Sequence, residues 1–320
     1  MVERPGLTPR AAALLDTFEA PQILGASRQL EIAADLFVSL AEEHEGDSPS
    51  LVCRLRQVEV YLTALRGESS QAIPNAISLM LVGLNEHERL PPDTLKNWVI
   101  AQVRDYDTES RRGMTAIVAY GTALASGAKR LLAYDFSSSV AAILRALGEG
   151  GALPTVVLPE ARTLDGGRRY LEDLEESKLR FELIPDAAIG SWVKTCDLAF
   201  IGAETISAEG GCYNTTGSLL VAFACQYWRV PLYVPSTLVK IDTRTLHGYR
   251  RPIPELGPRH LGRLAEGWPM LSPGQLRIAS PDLDYVPPEL LTGFVTEAGI
   301  LPPAVIAIHA ARLADAHQSD

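Results

Sequence analysis

The sequence predicts an α/β protein in which a helical N-terminal domain is followed by a domain built on a parallel β-sheet. Two observations support this prediction. Up to about residue 115 the apolar residues recur at helical spacing, and from Lys129 onward short apolar runs alternate with helical stretches. Alternation with short connections is typical of a parallel sheet with right-handed crossovers. We therefore place the helical domain at 1–120 and the sheet domain at 121–320.

The N-terminal domain is expected to consist of helices that pack on one another through apolar stripes. Thr8 followed by Pro9 is a helix-start signal, because the first turn does not use the backbone N–H that proline lacks. A long helical stretch beginning at Thr94 is expected to break near Thr108. The other expected helices are 8–20, 28–44, 51–65 and 74–87.

The second domain is expected to contain strands and helices in alternation, with the strand at 198–202 in the centre of the sheet. The expected strands are 130–136, 155–159, 180–184, 198–202 and 231–235. The expected helices are 138–148, 166–177, 187–195 and 218–228, with a last one from Ala304 towards Ala316. We interpret the irregular, arginine-bearing segment 243–280 as a solvated or intersubunit loop.

Composition narrows the possible functions. The 320 residues include 29 basic and 39 acidic ones, for a net charge of −10, which disfavours binding to nucleic acid or to anionic membranes. The 4 cysteines show no close pairing, so we expect reduced thiols in a cytoplasmic protein, with no zinc or other metal and no cofactor. No run of 18 apolar residues is present, and the N-terminus leads into an amphipathic helix rather than a signal sequence.

Polar residues follow the ends of several expected strands. Asp135 lies at the end of the first strand, Glu160 and Arg162 follow the second, and Glu204 follows the strand at 198–202. In parallel α/β folds, ligands bind beyond the carboxyl ends of the strands. These residues therefore predict a ligand site at that edge of the sheet.

Glu204 has two interpretations. A carboxylate at a strand end beside a helix start is suited to general acid–base catalysis. Alternatively, it caps the following loop by accepting backbone N–H bonds. We expect the polar loop Ser207–Gly211 to close over Glu204, and we expect Asn214 and the helix start near Gly217 to offer donors to a ligand.

Four motifs resemble those of a known superfamily. GAETISAEGGCYNTTGS resembles its Gly-Ala-Asp/Glu loop, and VLPEARTLDGG resembles its Glu-Thr-Arg-Pro motif. DYVPPELLTGFVTEAGILPPAV resembles its closing motif, and GASRQLEIAADLF resembles its Arg-Gly-Ala helix start. The superfamily contains the alpha, beta and delta subunits of translation initiation factor 2B, ribose-1,5-bisphosphate isomerase and methylthioribose-1-phosphate isomerase. The resemblance covers about 25–313 of the chain.

The resemblance implies a Rossmann-like C-terminal domain, a homodimer formed mainly through it, and a ligand cleft between the domains. It also implies that the ligand is a sugar or a sugar phosphate. The residues expected to contact the ligand are Arg28, Ser137, Ser138, Ser139, Glu160, Arg162, Asn214, Thr215, Gly217 and Lys240.

Several positions depart from the pattern of the isomerases. Phe136 stands at the position of their cysteine. Glu204 stands at the position of their aspartate, as it does in the non-catalytic alpha subunit. Thr215 replaces a phosphate-binding lysine, and Leu24 and Ile73 replace arginines. A desolvated phosphate needs cationic partners or N–H donors.

Three cations remain that could contact a phosphate: Arg28, Arg162 and Lys240.

Three functions are consistent with the sequence. The first is a diverged sugar or sugar-phosphate isomerase with Glu204 as base and Asp135, or a serine of 137–139, as acid. The second is a non-catalytic regulatory protein that binds a sugar phosphate or nucleotide. The third is a family member with a less phosphorylated substrate. We favour the first, because this edge of the sheet holds several carboxylates.

Overall fold

The computed structural model describes residues 2–20, 26–67, 70–253, 255, 275, 277 and 279–318. The chain divides into two compact units. The first unit comprises Met1–Gly113, Val239–Thr243 and Ile308–Asp320, and the second comprises Met114–Leu238 and Arg244–Ala307. Among the described residues, no helix is both long and apolar enough to cross a membrane.

The first unit is built on helices whose apolar faces form a common core. The helices that begin in this unit are α1 Pro9–Glu19, α2 Ala26–Glu42, α3 Ser48–Arg66, α4 Ala72–Leu81 and α5 Pro92–Ala125. α1 starts with proline in its first turn, as expected. The largest fully buried side chains in this unit are Leu15, Phe18, Leu36, Phe37, Leu40, Leu51, Leu55 and Leu62.

The break expected near Thr108 is wrong, because α5 continues through it. The hydroxyl of Thr108 donates to the carbonyl oxygen of Arg104 at 2.9 Å, four residues earlier in the helix. The guanidinium of Arg111 pairs with Asp107 at 2.9 Å, also one turn apart. The polar run stays helical because its side chains bond along the helix. The division between the two units, and the boundary predicted at residue 120, both fall inside α5.

The second unit contains a seven-stranded sheet, which confirms the predicted fold class. The strands of the chain are β1 Arg130–Tyr134, β2 Thr155–Pro159, β3 Arg180–Ile184, β4 Leu198–Ile201, β5 Thr205–Ser207, β6 Cys212–Thr215, β7 Leu232–Pro235, β8 Ile241–Asp242, β9 Leu283–Val286, β10 Gly293–Thr296 and β11 Gly299–Leu301. The large sheet has the order β11-β10-β7-β4-β1-β2-β3, and its strands are parallel except for the β10–β11 pair. β4 lies in the middle of this order, where it was expected.

Helices connect the parallel strands. The remaining helices are α6 Ser138–Glu149, α7 Gly166–Asp173, α8 Ile189–Trp192, α9 Ser218–Trp228 and α10 Ile306–Gln318. The helix expected at 187–195 is instead a single α-helical turn between two 3₁₀ turns. Every residue of β4 is buried, as a central strand of a parallel sheet requires.

The largest difference from the sequence prediction lies between β4 and α9. β5 and β6 form an antiparallel hairpin there, and β9 extends it on the β6 side. The loop expected to close over Glu204 is the turn of this hairpin, buried except at Glu209, with the N–H of Gly210 donating to the carbonyl oxygen of Ser207 at 2.9 Å. A Cβ on Gly210 would overlap the carbonyl oxygen of Pro303, so the turn packs closely against that residue. Closure over Glu204 stays a prediction.

Candidate functional site

The parallel register brings the ends of β1 and β4 side by side. Tyr134 is the partner of Ile201, so the residues that follow each of them emerge at the same edge of the sheet. A Cβ on Gly202 would stand 3.0 Å from Cβ of Ser137 and 3.3 Å from Oδ1 of Asn214. Gly202 therefore allows both Ser137 and Asn214 to pack closely against the end of β4.

Asp135 is the buried acid at this edge. Its backbone φ is 52°, a left-handed value that is uncommon outside glycine, and its exposure is 7%. The hydroxyl of Thr215 donates to Oδ2 at 2.5 Å. Oδ1 is buried and accepts no hydrogen bond from the described residues. The carboxyl group thus keeps one oxygen unsatisfied, which is rare for a buried polar atom.

The surroundings of Asp135 favour its protonated form. Burial raises the pKa of the Asp135 carboxyl above its ordinary value, and the hydroxyl of Thr215 and the charge of Arg169 act in the opposite direction. The nearby N–H of Phe136 also acts in that direction, without the alignment of a hydrogen bond. Burial outweighs them because it disfavours the charged form. A carboxyl group of this kind can serve as a proton donor nearer neutral pH than an exposed aspartate can.

The start of α7 packs directly against Asp135. This close packing accounts for the two glycines of VLPEARTLDGG, Gly166 and Gly167. A Cβ on Gly166 would overlap Oδ1 of Asp135 and stand 2.6 Å from the backbone N of Phe136. A Cβ on Gly167 would overlap the carbonyl oxygen of Pro159, at the end of β2. Only glycine lets the start of α7 come so close to the ends of β1 and β2.

Asn214 and Thr215 end β6 on the other side of Asp135. The side-chain amide of Asn214 donates to Oγ of Ser218 at 2.8 Å, and that hydroxyl donates to the carbonyl oxygen of Thr215 at 2.7 Å. All three residues are buried. Hydrogen bonds therefore join Asp135, Thr215, Ser218 and Asn214 in one polar cluster, and Ser137 lies beside Gly202 at the same edge of the sheet. The use of these residues as a ligand site stays a prediction.

Two of the N–H groups expected to serve as donors at the start of α9 are already bound within the protein. The backbone N–H groups of Gly217 and Leu219 donate to Oδ2 of Asp284 at 2.7 and 3.1 Å. Gly217 has a φ of 106°, and a Cβ there would overlap the hydroxyl of Tyr134. Gly217 is thus required by the backbone, and its N–H is already bound to β9.

The serine run begins α6, as expected. Ser137 is the N-cap residue, and its own backbone N–H donates to the hydroxyl of Tyr170 at 3.1 Å. No side-chain hydrogen bond caps this helix start. Ser138 is exposed and Ser139 is buried.

Glu204 connects β4 to the hairpin. Its backbone N–H donates to the carbonyl oxygen of Tyr213 at 2.8 Å, and its side chain is half-buried. Within the described part of the chain, no N–H or hydroxyl group donates to its carboxylate. The loop-capping alternative therefore has no bond to support it, and the carboxylate is left to accept a proton or a ligand.

Glu160 and Arg162 follow β2 and interact with each other. Nε of Arg162 lies 3.8 Å from Oε1 of Glu160. The backbone N–H groups of Ala161 and Arg162 donate to the Asp186 carboxylate at 2.9 and 3.0 Å. Sequence reasoning missed Asp186, because it follows the neighbouring strand β3, whose end carried no motif.

Arg28 and Lys240 belong to the first unit. The guanidinium of Arg28 pairs with Glu31 at 2.6 Å. The backbone on either side of Lys240 is held by Asn75, whose side-chain amide donates to the carbonyl oxygens of Val239 and Ile241 at 2.7 Å each. Sequence reasoning did not identify Asn75, which is 1% exposed.

Part of the arginine-bearing segment 243–280 is described. In it, the guanidinium of Arg251 donates to Oγ1 of Thr205 at 2.5 Å, and that of Arg244 lies 4.1 Å from the ring centroid of Tyr249. The first contact joins the segment to β5, and the second lies within the segment. Arg259 and Arg263 lie outside the described residues, as do Leu24 and Gly25 of the helix-start motif.

Phe136 takes the position at which the sequence comparison placed the isomerase cysteine. Its ring lies 5.2 Å from that of Tyr170, and the guanidinium of Arg169 lies 4.4 Å from its centroid. Cys212, the thiol nearest to Glu204 in sequence, is fully buried, and burial raises its pKa to about 12. That thiol remains protonated at physiological pH.

A mainly parallel seven-stranded sheet with polar side chains gathered beyond its carboxyl ends places the protein in the Rossmann-like α/β class. The sequence model that describes the initiation factor 2 subunit family matches residues 23–303 of this chain. The chain therefore belongs to that family. The superfamily resemblance of the four motifs is thereby confirmed.

Three comparisons illustrate the range of the family. A protein from Methanothermobacter thermautotrophicus with the provisional name methylthioribose-1-phosphate isomerase is 33% identical over 199 residues, which are 61% of this chain and 57% of that protein. Ribose 1,5-bisphosphate isomerase from Methanocaldococcus jannaschii is 23% identical over 72% of each chain. The crystal structure of translation initiation factor eIF-2B from Pyrococcus horikoshii shares the fold, with a TM-score of 0.73 and 22% identity over 93% of this chain and 98% of that one.

Proposed function

We propose that this protein is a diverged aldose–ketose isomerase acting on a sugar or sugar phosphate. The observation that supports it most is Asp135, a buried carboxyl group with a raised pKa and one unsatisfied oxygen. A second carboxylate, Glu204, follows the neighbouring strand and has no side-chain partner among the described residues. Two carboxyl groups in different surroundings can act as acid and base.

The proposed reaction moves one proton between adjacent carbons. The carboxylate of Glu204 removes the proton from C2 of the sugar. Protonated Asp135 donates its proton to the carbonyl oxygen on C1 of an open-chain aldose or, in a sugar 1-phosphate, to the ring oxygen as the bond between that oxygen and C1 breaks. The product of this step is an enediol, which in a sugar 1-phosphate keeps the phosphate on its C1 oxygen. The hydroxyl on C2 then returns a proton to Asp135, and Glu204 delivers its proton to C1. The ketose leaves, and both carboxyl groups are in their starting states.

The names of the relatives support this substrate class. Relatives of this chain are named for methylthioribose 1-phosphate and ribose 1,5-bisphosphate. Both substrates are phosphorylated pentose derivatives. The buried thiol of Cys212 and the aromatic ring at Phe136 favour a reaction that uses carboxyl groups without a cysteine.

A non-catalytic regulatory role is the second candidate. One observation favours it: Phe136 packs against Tyr170 and Arg169 at the position that carries the thiol in the isomerases. A protein of this kind would bind a sugar phosphate or a nucleotide and transmit the binding to a partner.

Turnover separates the two candidates. The wild-type protein is incubated with ribose 1,5-bisphosphate, methylthioribose 1-phosphate, ribose 5-phosphate and ribose, and ketose formation is followed by NMR. We expect turnover of at least one phosphorylated sugar, and we expect Glu204→Gln to reduce it by roughly 10²-fold. The matched control is Glu149→Gln, an exposed glutamate at the opposite end of α6.

The outcomes of this assay are distinct. Saturable binding of a sugar phosphate or nucleotide without turnover in any sample would establish the regulatory role. Full turnover by Glu204→Gln would remove Glu204 from the mechanism and leave Asp135 as the next candidate. Equal loss in Glu204→Gln and Glu149→Gln would show that the effect is not specific to the site.

We also propose that the protein forms a homodimer through α9. One face of this helix exposes Leu220, Phe223 and Tyr227, which are 47%, 54% and 77% accessible. Their spacing of three and four residues makes the face continuous. An exposed apolar helix face of this kind is typical of an interaction surface.

A further inference from the structure

Arg169 lies near the carboxyl ends of the parallel strands, close to Asp135, and was not among the residues selected from the sequence. It lies in α7, close to the two glycines that press against the ends of β1 and β2. Its guanidinium lies over the ring of Phe136, 4.4 Å from the centroid. In the described ranges of the chain, the guanidinium of Arg169 has no carboxylate within ion-pair distance and no hydrogen-bond partner, and only its backbone N–H is bound, to the carbonyl oxygen of Asp165 at 3.1 Å.

The neighbouring arginines are engaged differently. Nε of Arg168 lies 2.9 Å from the Glu172 carboxylate, one turn along α7. Arg162 lies near Glu160, at 3.8 Å. Of these three arginines, Arg169 is thus the one without a described carboxylate at ion-pair distance. Its N–H groups are available in the plane of the guanidinium.

Stacking on an aromatic ring prepares a guanidinium for binding an anion. The ring occupies one face of the group and restricts its rotation, while the N–H donors remain at the periphery. A guanidinium held in this way can form two parallel hydrogen bonds with a phosphate or carboxylate. Phe136 therefore supplies a support for the cation at the position that carries the isomerase thiol.

The positive charge of Arg169 also affects the pKa of Asp135. It acts on Asp135 to favour the ionised carboxylate, against the effect of burial. An anion bound to Arg169 would offset that charge and leave burial to dominate. Occupation of an anion site at Arg169 would thus favour the protonated form of Asp135 that the isomerase mechanism requires.

We propose that Arg169, stacked on Phe136, binds the phosphate group of a phosphorylated sugar ligand. This inference rests on the proposed function for the identity of the ligand. It assigns the phosphate contact to the end of β1 and the start of α7, instead of the positions of Thr215, Leu24 and Ile73, where the isomerase pattern has cations. It also commits the protein to a phosphorylated ligand over a free sugar.

The test compares two adjacent arginines. Arg169→Gln removes the charge and keeps a planar group that can pack on Phe136, whereas the matched control Arg168→Gln removes the same charge from the next residue. Isothermal titration measures the affinity of each protein for inorganic phosphate, ribose 5-phosphate and ribose. We expect Arg169→Gln to weaken binding of both phosphates by about tenfold to a hundredfold, the range for losing a charge-assisted hydrogen bond.

Further variants define the interaction. Arg168→Gln should bind both phosphates within about twofold of wild type, because its charge is already paired. Arg169→Lys should retain part of the affinity, since it keeps the charge and loses the planar fork. Phe136→Leu should weaken phosphate binding with Arg169 intact. Melting temperatures of all variants show whether each is folded.

The results separate this inference from the proposed function. Unchanged phosphate affinity in Arg169→Gln, or equal losses in Arg169→Gln and Arg168→Gln, would overturn the role of Arg169 even if sugar phosphates are isomerised. Phosphate binding that depends on Arg169, without turnover of any sugar phosphate, would support the anion site and refute the isomerase. A wild-type protein that binds neither phosphate would overturn the anion site outright.

Discussion

Replacing Asp135 with asparagine removes one buried titratable group and nearly preserves the size of the side chain. Burial raises the pKa of this carboxyl above its ordinary value of 3.8, so the folded protein holds the proton more tightly than the unfolded chain does. The stability gained from the protonated form is complete below pH 3.8 and is lost as the pH rises through the folded-state pKa.

The magnitude follows from proton linkage. Between the unfolded and folded pKa values, one proton difference changes the free energy of unfolding by about 1.4 kcal/mol per pH unit. Asparagine has no proton to lose, and its amide oxygen can accept the hydrogen bond from Thr215. We therefore expect Asp135→Asn to gain stability relative to wild type as the pH rises through this window, and to reach a constant difference above it.

The assay is urea unfolding from pH 4 to pH 8, followed by tryptophan fluorescence. The matched control is Asp165→Asn, because Asp165 is exposed and its positive φ accommodates asparagine. Stability differences that do not change with pH would refute the reasoning. The reasoning would also be refuted if the stability of the wild-type protein rose relative to that of Asp135→Asn with increasing pH. The ionised carboxylate would then be the form that the fold stabilises.

Three further predictions test the site and the assembly. Cys212→Ser should leave ligand binding and turnover largely intact, because this thiol is buried and protonated; complete loss of activity in a folded variant would contradict that. Phe223→Glu should convert the dimer to a monomer in light scattering, while a wild-type protein that is already monomeric at micromolar concentration would refute the α9 interface. Gly217→Ala should destabilise the protein by more than about 1 kcal/mol in urea unfolding, because its φ is 106° and the added methyl group overlaps Tyr134; unchanged stability would contradict this.

The sequence predicted the sheet best where strands are short, apolar and regularly spaced. The run at 198–201 is buried throughout and lies in the middle of the sheet, as its composition indicates. The hairpin of β5 and β6 was missed because its strands, TIS and CYNT, consist mostly of polar residues although every one of them is buried, so they form neither an apolar run nor an alternating pattern.

The sequence selected single residues of the candidate site but not the contacts between them. Asp135 and Thr215 were selected separately from strand ends and motifs, but their hydrogen bond joins residues 80 positions apart. Asp284, which binds the N–H groups at the start of α9, lies 67 positions from Gly217. Arg169 was not selected because its contact with the ring of Phe136 joins residues 136 and 169, which lie in different elements. Pairings of this kind are set by tertiary packing, which local spacing does not encode.

Solvent deuterium incorporation tests the isomerase proposal most directly. The wild-type protein and its Glu204→Gln and Glu149→Gln variants are incubated in D₂O with the sugar phosphate that wild type binds most tightly, and C–H signals at C1 and C2 are followed by ¹H NMR. Proton transfer through an enediol predicts deuterium at the carbon that is reprotonated, slowed by roughly 10²-fold in Glu204→Gln and unchanged in Glu149→Gln. Tight binding without deuterium incorporation, or wild-type incorporation by Glu204→Gln, would contradict the proposal.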